Sequence, residues 1–386
     1  MFIRKFMKKS KIFKTVASLV VAGAGIAALV GCSKGPAEKV KVGVLVADVS
    51  GEEALAFRNY LKEYVGPNYN YDFIYSEQIQ DAATAKSTAE TFIGQNCKAI
   101  IDMANQNRKE LAKLCDDNNV YFAIGSGVME DADFEACKDY EHFVGQIGPD
   151  NAAEYNAGLE MGQYYKTVKE VDKVGIYGAF IPNPMHVYRF AGLLTGLGDT
   201  YSGLSGMNAV GAIFASRGDI NASNIAGDVE VLYCGGYNES INTVVDGIIE
   251  QQPDAFLSVG MATTFFSTAL NNAHLEYSDI DAFVAGNAEL MHTGSLGYLA
   301  GKYASSLGPI FAAIKSAIDG QAIRDNGKAF SISQNYEVAT TYEQFVKLQS
   351  ADAGDNPIFN KTVIDSLIGK SFAEFKAAVE LDRTTD

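Results

Sequence analysis

The sequence predicts an α/β protein of two similar lobes, each built on a doubly wound parallel sheet, joined by a hinge of about three crossovers with a cleft between them. Three observations lead there. From Val40 onward, short apolar runs alternate with stretches of helical spacing, the rhythm of a parallel sheet with helices on both faces. That rhythm stops at Phe143–Gly158, where the apolar run Phe143–Ile147 ends on Gly148-Pro149 and a helix opens with Asp150 and Asn151; it then restarts over a similar length. A chain of 386 residues also exceeds the size at which a single core keeps growing. The expected layout is a leader at 1–31, a tether at 32–39, a first lobe at 40–147 and a second at 148–285. A return at 286–328 carries a helix of the first lobe, and a tail at 329–386 packs on the first lobe or the hinge.

The leader is read from its charge and its apolar run. Met1–Lys14 carries Arg4, Lys5, Lys8, Lys9, Lys11 and Lys14 and no acid, and Val16–Val30 is almost wholly apolar. A basic region, a short apolar region and small residues describe a secretory signal. The alternative is a retained anchor, for which the run is short of the roughly 20 residues a spanning helix needs. The ending Leu29-Val30-Gly31-Cys32 resembles the lipobox of bacterial lipoproteins. That resemblance implies that Cys32 becomes a diacylated first residue, held to the bilayer by its acyl chains.

Removing the leader takes six basic residues and no acid from a chain whose formal charge is already −16. So acidic a surface disfavours nucleic acid and gives no attraction to anionic lipid. Cys97, Cys115, Cys137 and Cys234 are widely spaced, with no CxxC. They suit small core positions, a disulfide within the first lobe being the alternative, and no metal site is expected. Tryptophan is absent, but 20 Tyr and 22 Phe supply rigid aromatic surface for a binding site.

In the first lobe the strands are expected at Val40–Ala47, Tyr69–Tyr75, Ala99–Met103 and Val120–Ile124, with helices at Glu52–Val65, Asp81–Gln95 and Asn107–Asp116 between them. In such sheets ligands meet the carboxyl ends of the strands. The candidates are therefore Asp48, Ser50, Asn105 and Ser126. Asp48 and Ser126 are also ordinary loop and capping residues, so the structural role stays open beside the binding one. No GxGxxG follows the first strand, and an acid stands where a pyrophosphate would sit, so no nucleotide cofactor is expected.

In the second lobe Gly158 and Gly162 permit close packing of the helix Asn151–Tyr165. The strand Lys173–Tyr177 leads to a long loop and a helix from Met185 to Leu197 that carries Arg189. An arginine in the first turns opposes the favourable sense of the helix dipole, so it needs a reason, either a ligand with two oxygens or a partner acid. Residues 198–227 are an unusually long glycine-rich excursion, expected as a flap or a lid. Strands follow at Val229–Tyr233, Ala255–Val259 and Ala282–Ala285. Tyr237, Met261 and Asn287 lie in or just past the loops behind them, and Lys302 follows a further strand or crossover at Leu296–Tyr303.

Several segments together resemble the bacterial type-1 solute-binding proteins, of the ribose/galactose-binding and LacI-type ligand-domain superfamily. They are Val42–Ala47, Gly148-Pro149-Asp150-Asn151 with Gly158, Arg189-Phe190-Ala191-Gly192, Gln252-Pro253-Asp254-Ala255, Val284-Ala285-Gly286-Asn287, and Lys302 with Gly308. The resemblance implies the two-lobed fold and a small polar ligand between the lobes. Arg189 matches the family's ligand-gripping arginine, Asn287 falls where an aspartate usually holds sugar hydroxyls, and Lys302 falls near a glutamine that closes the cleft. Ser126-Gly127 replaces an acid–arginine pair. With Arg189 and Lys302, these departures suit an acidic ligand as well as a neutral sugar.

The expected function is therefore capture of a small polar solute, most simply a sugar or its derivative, by a lipid-anchored monomer on the outer face of the cell membrane, for delivery to the permease of an ABC importer. A ligand-sensing receptor and a nucleoside or acidic-solute carrier are the alternatives. Catalysis is the reading the residues favour least. The histidines are His142, His186, His274 and His292, and no HExxH, GxSxG or phosphate-binding loop occurs.

Overall fold

A computed structural model describes residues 38–178, 184–216, 220–235, 240–352 and 356–381. The leader, Cys32 and Tyr237 lie outside the described residues. Strands β1 (Val40–Val46), β2 (Tyr71–Gln78), β3 (Ala99–Met103), β4 (Tyr121–Ile124) and β5 (Phe143–Gly148) form the first sheet and pair in parallel. Apolar cores cover both faces. Val42, Val44, Phe73 and Ile101 pack on one side, and Leu45, Ile100, Phe122 and Ile124 on the other. Burial of both faces is why these strands read as near-continuous apolar runs rather than alternating ones.

The second sheet repeats the plan with β6 (Lys173–Tyr177), then, after the short β7 (Thr200–Tyr201) and β8 (Ile225–Ala226), β9 (Glu230–Gly235), β10 (Ala255–Ser258), β11 (Tyr277–Ile280) and β12 (Leu296–Gly301). β13 (Phe330–Ser333) then joins β5 in the first sheet, and β14 (Glu337–Ala339) pairs antiparallel with β12 in the second. The chain thus passes between the sheets at 148–151, 301–304 and 333–337.

Two expectations about extent change. The second lobe does not stop at 285, because β12 is one of its parallel strands. The tail also serves both lobes. Phe345 and Leu348 of the helix Tyr342–Asp352 join the second lobe's core, whereas Ile364, Leu367 and Phe375 of the last helices join the first lobe's. The tail thereby adds another tie between the lobes.

The excursion at 198–227 is not a free flap. Its helix Met207–Ala215 buries Ala209, Val210 and Ile213 in the second lobe's core, and β7 and β8 form a two-stranded ribbon beside it. Beneath it, the helices Asn151–Thr167 and Pro184–Leu197 pack at backbone contact. A Cβ at Gly158 would stand 1.9 Å from the Arg189 carbonyl oxygen, and one at Gly192 2.0 Å from that of Tyr155, so only glycine fits at either position. Cys97, Cys115, Cys137 and Cys234 are buried free thiols. Among the described residues, no helix is long and apolar enough to cross a membrane.

Candidate functional site

The carboxyl ends of both sheets meet the chain's passages between the lobes, and the polar groups gathered there form the candidate site. Its centre is Lys302, directly after β12. The Lys302 ammonium donates to Ser126 Oγ of the first lobe at 3.0 Å and lies 4.0 Å from Glu53 Oε1. It also stands 5.8 Å from the centre of the Phe57 ring and 5.9 Å from that of Tyr336. Two residues that the sequence proposed separately, Ser126 and Lys302, are thus in direct contact across the cleft. A cavity beside them is lined by Glu53 and Phe57 of the first lobe, Phe283 of the second, Lys302 of the passage and Asp352 of the tail.

Arg189 has its partners within the protein. Its Nε donates to Glu154 Oε2 at 2.6 Å, Nη1 to the Val259 carbonyl at 2.8 Å and Nη2 to the Tyr336 hydroxyl at 2.6 Å. The Tyr336 hydroxyl also lies 3.0 Å from Glu154 Oε1. Burial works against the guanidinium charge, but Glu154 outweighs it and raises the Arg189 pKa above its ordinary value. The partner acid, left open in the sequence, is therefore Glu154, three residues after Asn151 in the helix that leaves the first passage. Beside Arg189, His186 is buried, and among the described residues its Nδ1 has no hydrogen-bond partner. Burial, then the neighbouring Arg189 charge, push the His186 pKa down to about 3, so the imidazole is neutral.

The remaining sequence candidates separate. Asp48 is exposed, and its carboxylate accepts from the Ser50 and Gly51 amides at 3.0 Å each, closing the turn before the first helix. Partial burial would raise its pKa, but these hydrogen bonds outweigh that and lower it. Ser50 adds its hydroxyl to the same turn. Asn105 is exposed with a left-handed backbone (φ 56°), just past β3. Met261 is left-handed too (φ 71°) and 46% exposed past β10.

Asn287 does not follow a strand. The expected strand Ala282–Ala285 is instead loop and the start of the helix Ala285–Thr293. Its apolar run packs Ala282 and Phe283 inside rather than pairing them in the sheet. Asn287 is buried and donates to the Ala282 carbonyl at 2.8 Å. The strand ends at Ile280, so the aspartate after it is Asp281.

Sequence reading missed Glu53, Phe57, Glu154, Asp281 and Tyr336. The first three sit on helices and looked like surface or core positions. Tyr336 lies in a passage that no periodicity marks. Asp281 was hidden by placing the strand five residues late. The first lobe has its own unforeseen pair, Arg108 Nε to Asp102 Oδ2 at 2.7 Å. The same guanidinium donates to the Ser126 and Val128 carbonyls at 2.9 Å each, holding the loop that carries Ser126.

No protein-family model matches the chain, and no curated protein matches it. Solved structures do. The chain is similar to the periplasmic binding protein of the arabinose ABC transporter from Shewanella sp. ANA-3, bound to α- and β-L-arabinofuranose. Identity is 16% and the TM-score 0.56, over 81% of this chain and 95% of that one. It is likewise similar to an ABC transporter periplasmic solute-binding protein from Actinobacillus succinogenes 130z with bound D-allose. There identity is 16% and the TM-score 0.60, over 80% of this chain and 99% of that one. A third is an ABC transporter solute-binding protein from Bacillus halodurans C-125 with bound myo-inositol, at 15% identity and TM-score 0.57, over 81% of this chain and 98% of that one. The chain therefore has the type-1 periplasmic-binding-protein fold.

Proposed function

We propose that this protein captures a small neutral polyhydroxy compound, a sugar or close derivative, between its lobes and presents it to the permease of an ABC importer. In this reading the chain is a monomer held to the outer face of the cell membrane through acylated Cys32. The observation that carries it is the Lys302 cluster, where both lobes and a passage between them converge on one cavity. On that cavity Lys302 supplies a donor, Glu53 an acceptor and Phe57 an aromatic face, and Ser126 and Tyr336 meet the Lys302 ammonium beside it. That mixture suits hydroxyl groups above an apolar ring face. The solutes bound by the similar structures, L-arabinofuranose, D-allose and myo-inositol, have the same chemistry.

An acidic ligand loses its main support, because Arg189 is committed to Glu154 and Lys302 has Glu53 nearby. The site needs no bond-making group, since closure of two lobes around the ligand is itself the event. Calorimetric titration with L-arabinose, D-allose, myo-inositol and glucuronate tests the reading. One of the three neutral compounds is expected to bind with unit stoichiometry and without turnover, and Lys302→Met to weaken it. Binding of glucuronate alone, or turnover of any probe, would sink it.

A further inference from the structure

Two carboxylates beneath the second lobe's side of the cleft compete for one hydroxyl. Asp279 is the third residue of β11 and fully buried, and Asp281, just past the strand end, is partly exposed. Thr263 Oγ1 lies 3.0 Å from Asp279 Oδ2 and 2.6 Å from Asp281 Oδ2. A threonine hydroxyl has one proton to donate. It satisfies one carboxylate, and the other contact is a hydrogen bond only when the carboxyl itself brings the proton.

Among the described residues, neutral donors rather than a cation meet the Asp279 carboxylate. From β10, Ser258 Oγ donates to Asp279 Oδ1 at 3.1 Å, and from the helix Ala262–Phe265 the Thr263 amide donates to Asp279 Oδ2 at 2.8 Å. Within the strand the Ile280 amide donates to Asp279 Oδ1 at 2.9 Å. Asp281 Oδ1 accepts from the Ala282 amide at 2.8 Å, and Asn287 Nδ2, from the helix Ala285–Thr293, stands 3.5 Å from Asp281 Oδ2. Among the described residues the charged group that faces Asp279 is Asp281.

We propose that Asp279, Thr263 and Asp281 hold one proton in common at neutral pH, and that Asp279 is a positioning residue acting through Thr263 on Asp281, a strand-end carboxylate of the ligand cleft. This rests on the cleft being the solute site. With the shared proton the trio carries one negative charge and every short contact is a hydrogen bond. Loss of the proton leaves two anions on one hydroxyl, and Asp281, the more exposed, is the one displaced. Burial first, and then the Asp281 charge, raise the Asp279 pKa, which agrees with the geometry.

The sign follows from proton linkage. The unfolded chain loses these protons in the ordinary carboxylate range, whereas the folded chain keeps one to higher pH. Stability conferred by the shared proton is complete at low pH and is lost as pH rises through the raised value. Urea unfolding of the wild type, Asp279→Asn and Thr263→Val between about pH 4 and about pH 8 tests this. Asparagine has the shape of the protonated acid. The wild type is expected to lose stability with rising pH relative to Asp279→Asn, by up to about tenfold in the folding equilibrium per pH unit. Should Asp279→Asn fail to fold, carboxyl resonances of aspartate-labelled wild type decide, assigned by comparison with Asp352→Asn and Asp199→Asn because burial raises those two carboxyls as well, with Asp279 titrating well above the ordinary range. Equal pH slopes in wild type and Asp279→Asn, or an Asp279 carboxyl resonance that titrates in the ordinary range, overturn the shared proton.

Calorimetry with L-arabinose, D-allose and myo-inositol at both ends of that range tests the positioning role. Affinity of a bound probe is expected to fall with pH in the wild type and to stay level in Asp279→Asn. The same pH dependence in both proteins overturns that role. If no probe binds at either pH, the sugar-capture reading fails, while the stability and resonance measurements still decide the shared proton.

Discussion

Among the described residues each lobe buries an arginine near the carboxyl ends of its strands, Arg108 in the first and Arg189 in the second, and the two are connected differently. In the first lobe Arg108 pairs with Asp102 and spends its other donors on the carbonyls of Ser126 and Val128. Every partner belongs to that lobe, so the arginine stiffens one loop. In the second lobe Arg189 pairs with Glu154 at the start of the helix leaving the first passage, and it reaches Tyr336 in the third. It joins the second lobe to one strand of the hinge. The same side chain is a local brace in one place and a coupling element in the other, and only its partners decide which.

The largest expected effects test this contrast directly. Arg108→Ala and Arg189→Ala each strand a buried carboxylate and should each lower unfolding free energy by about 3–5 kcal/mol in urea titrations. Only Arg189→Ala is expected to alter the lobe separation seen by small-angle scattering. An equal change in both variants would break the distinction.

Next comes acid sensitivity in the second lobe. His186 has a pKa lowered to about 3 against an ordinary value of 6.5, so the unfolded chain takes up its proton first as pH falls. Stability should decline from about pH 6.5 towards pH 3 by at most about 1.4 kcal/mol per pH unit. His186→Asn should show a shallower decline, and an unchanged slope would mean that the imidazole is not buried as described.

Tyr336→Phe removes the hydroxyl shared by Arg189 and Glu154. It should cost about 1–3 kcal/mol, measured in the same urea titration, and should move lobe separation in the direction Arg189→Ala does. The smallest effect belongs to Ser126→Ala. It should change stability by about 0.5–1.5 kcal/mol, because the Lys302 ammonium can turn to Glu53 or water. Its expected signature is faster opening of the lobes, followed by fluorescence of dyes placed one on each lobe. Opening at the wild-type rate would leave the Ser126–Lys302 contact without a closing role.

Much of the fold was legible because its signals are local. Gly148-Pro149 marked a passage, and Asp150 does cap the following helix, accepting from the Ala153 amide at 2.8 Å. Gly158 and Gly162 announced close helix packing. The strand ends were less legible. Ala282–Ala285 is apolar enough for a strand, yet the short polar run Tyr277–Ile280 is the one paired in the sheet, because its Ser278 and Asp279 find hydrogen-bond partners inside. An isolated sequence shows the polar residues and not the partners that make burying them tolerable.

By itself the sequence determined the alternation of strands and helices, the point where one lobe gives way to the next, and the presence of an arginine in need of a partner. Those follow from spacing, caps and charge within a few residues. Tertiary structure alone decided that the partner is Glu154, that Ser126 meets Lys302, that the tail ties both lobes, and that Asp279 and Asp281 converge on Thr263. Each depends on groups far apart in the chain. Burying these groups costs desolvation, which is offset by hydrogen bonds that exist only once the tertiary fold has brought them together.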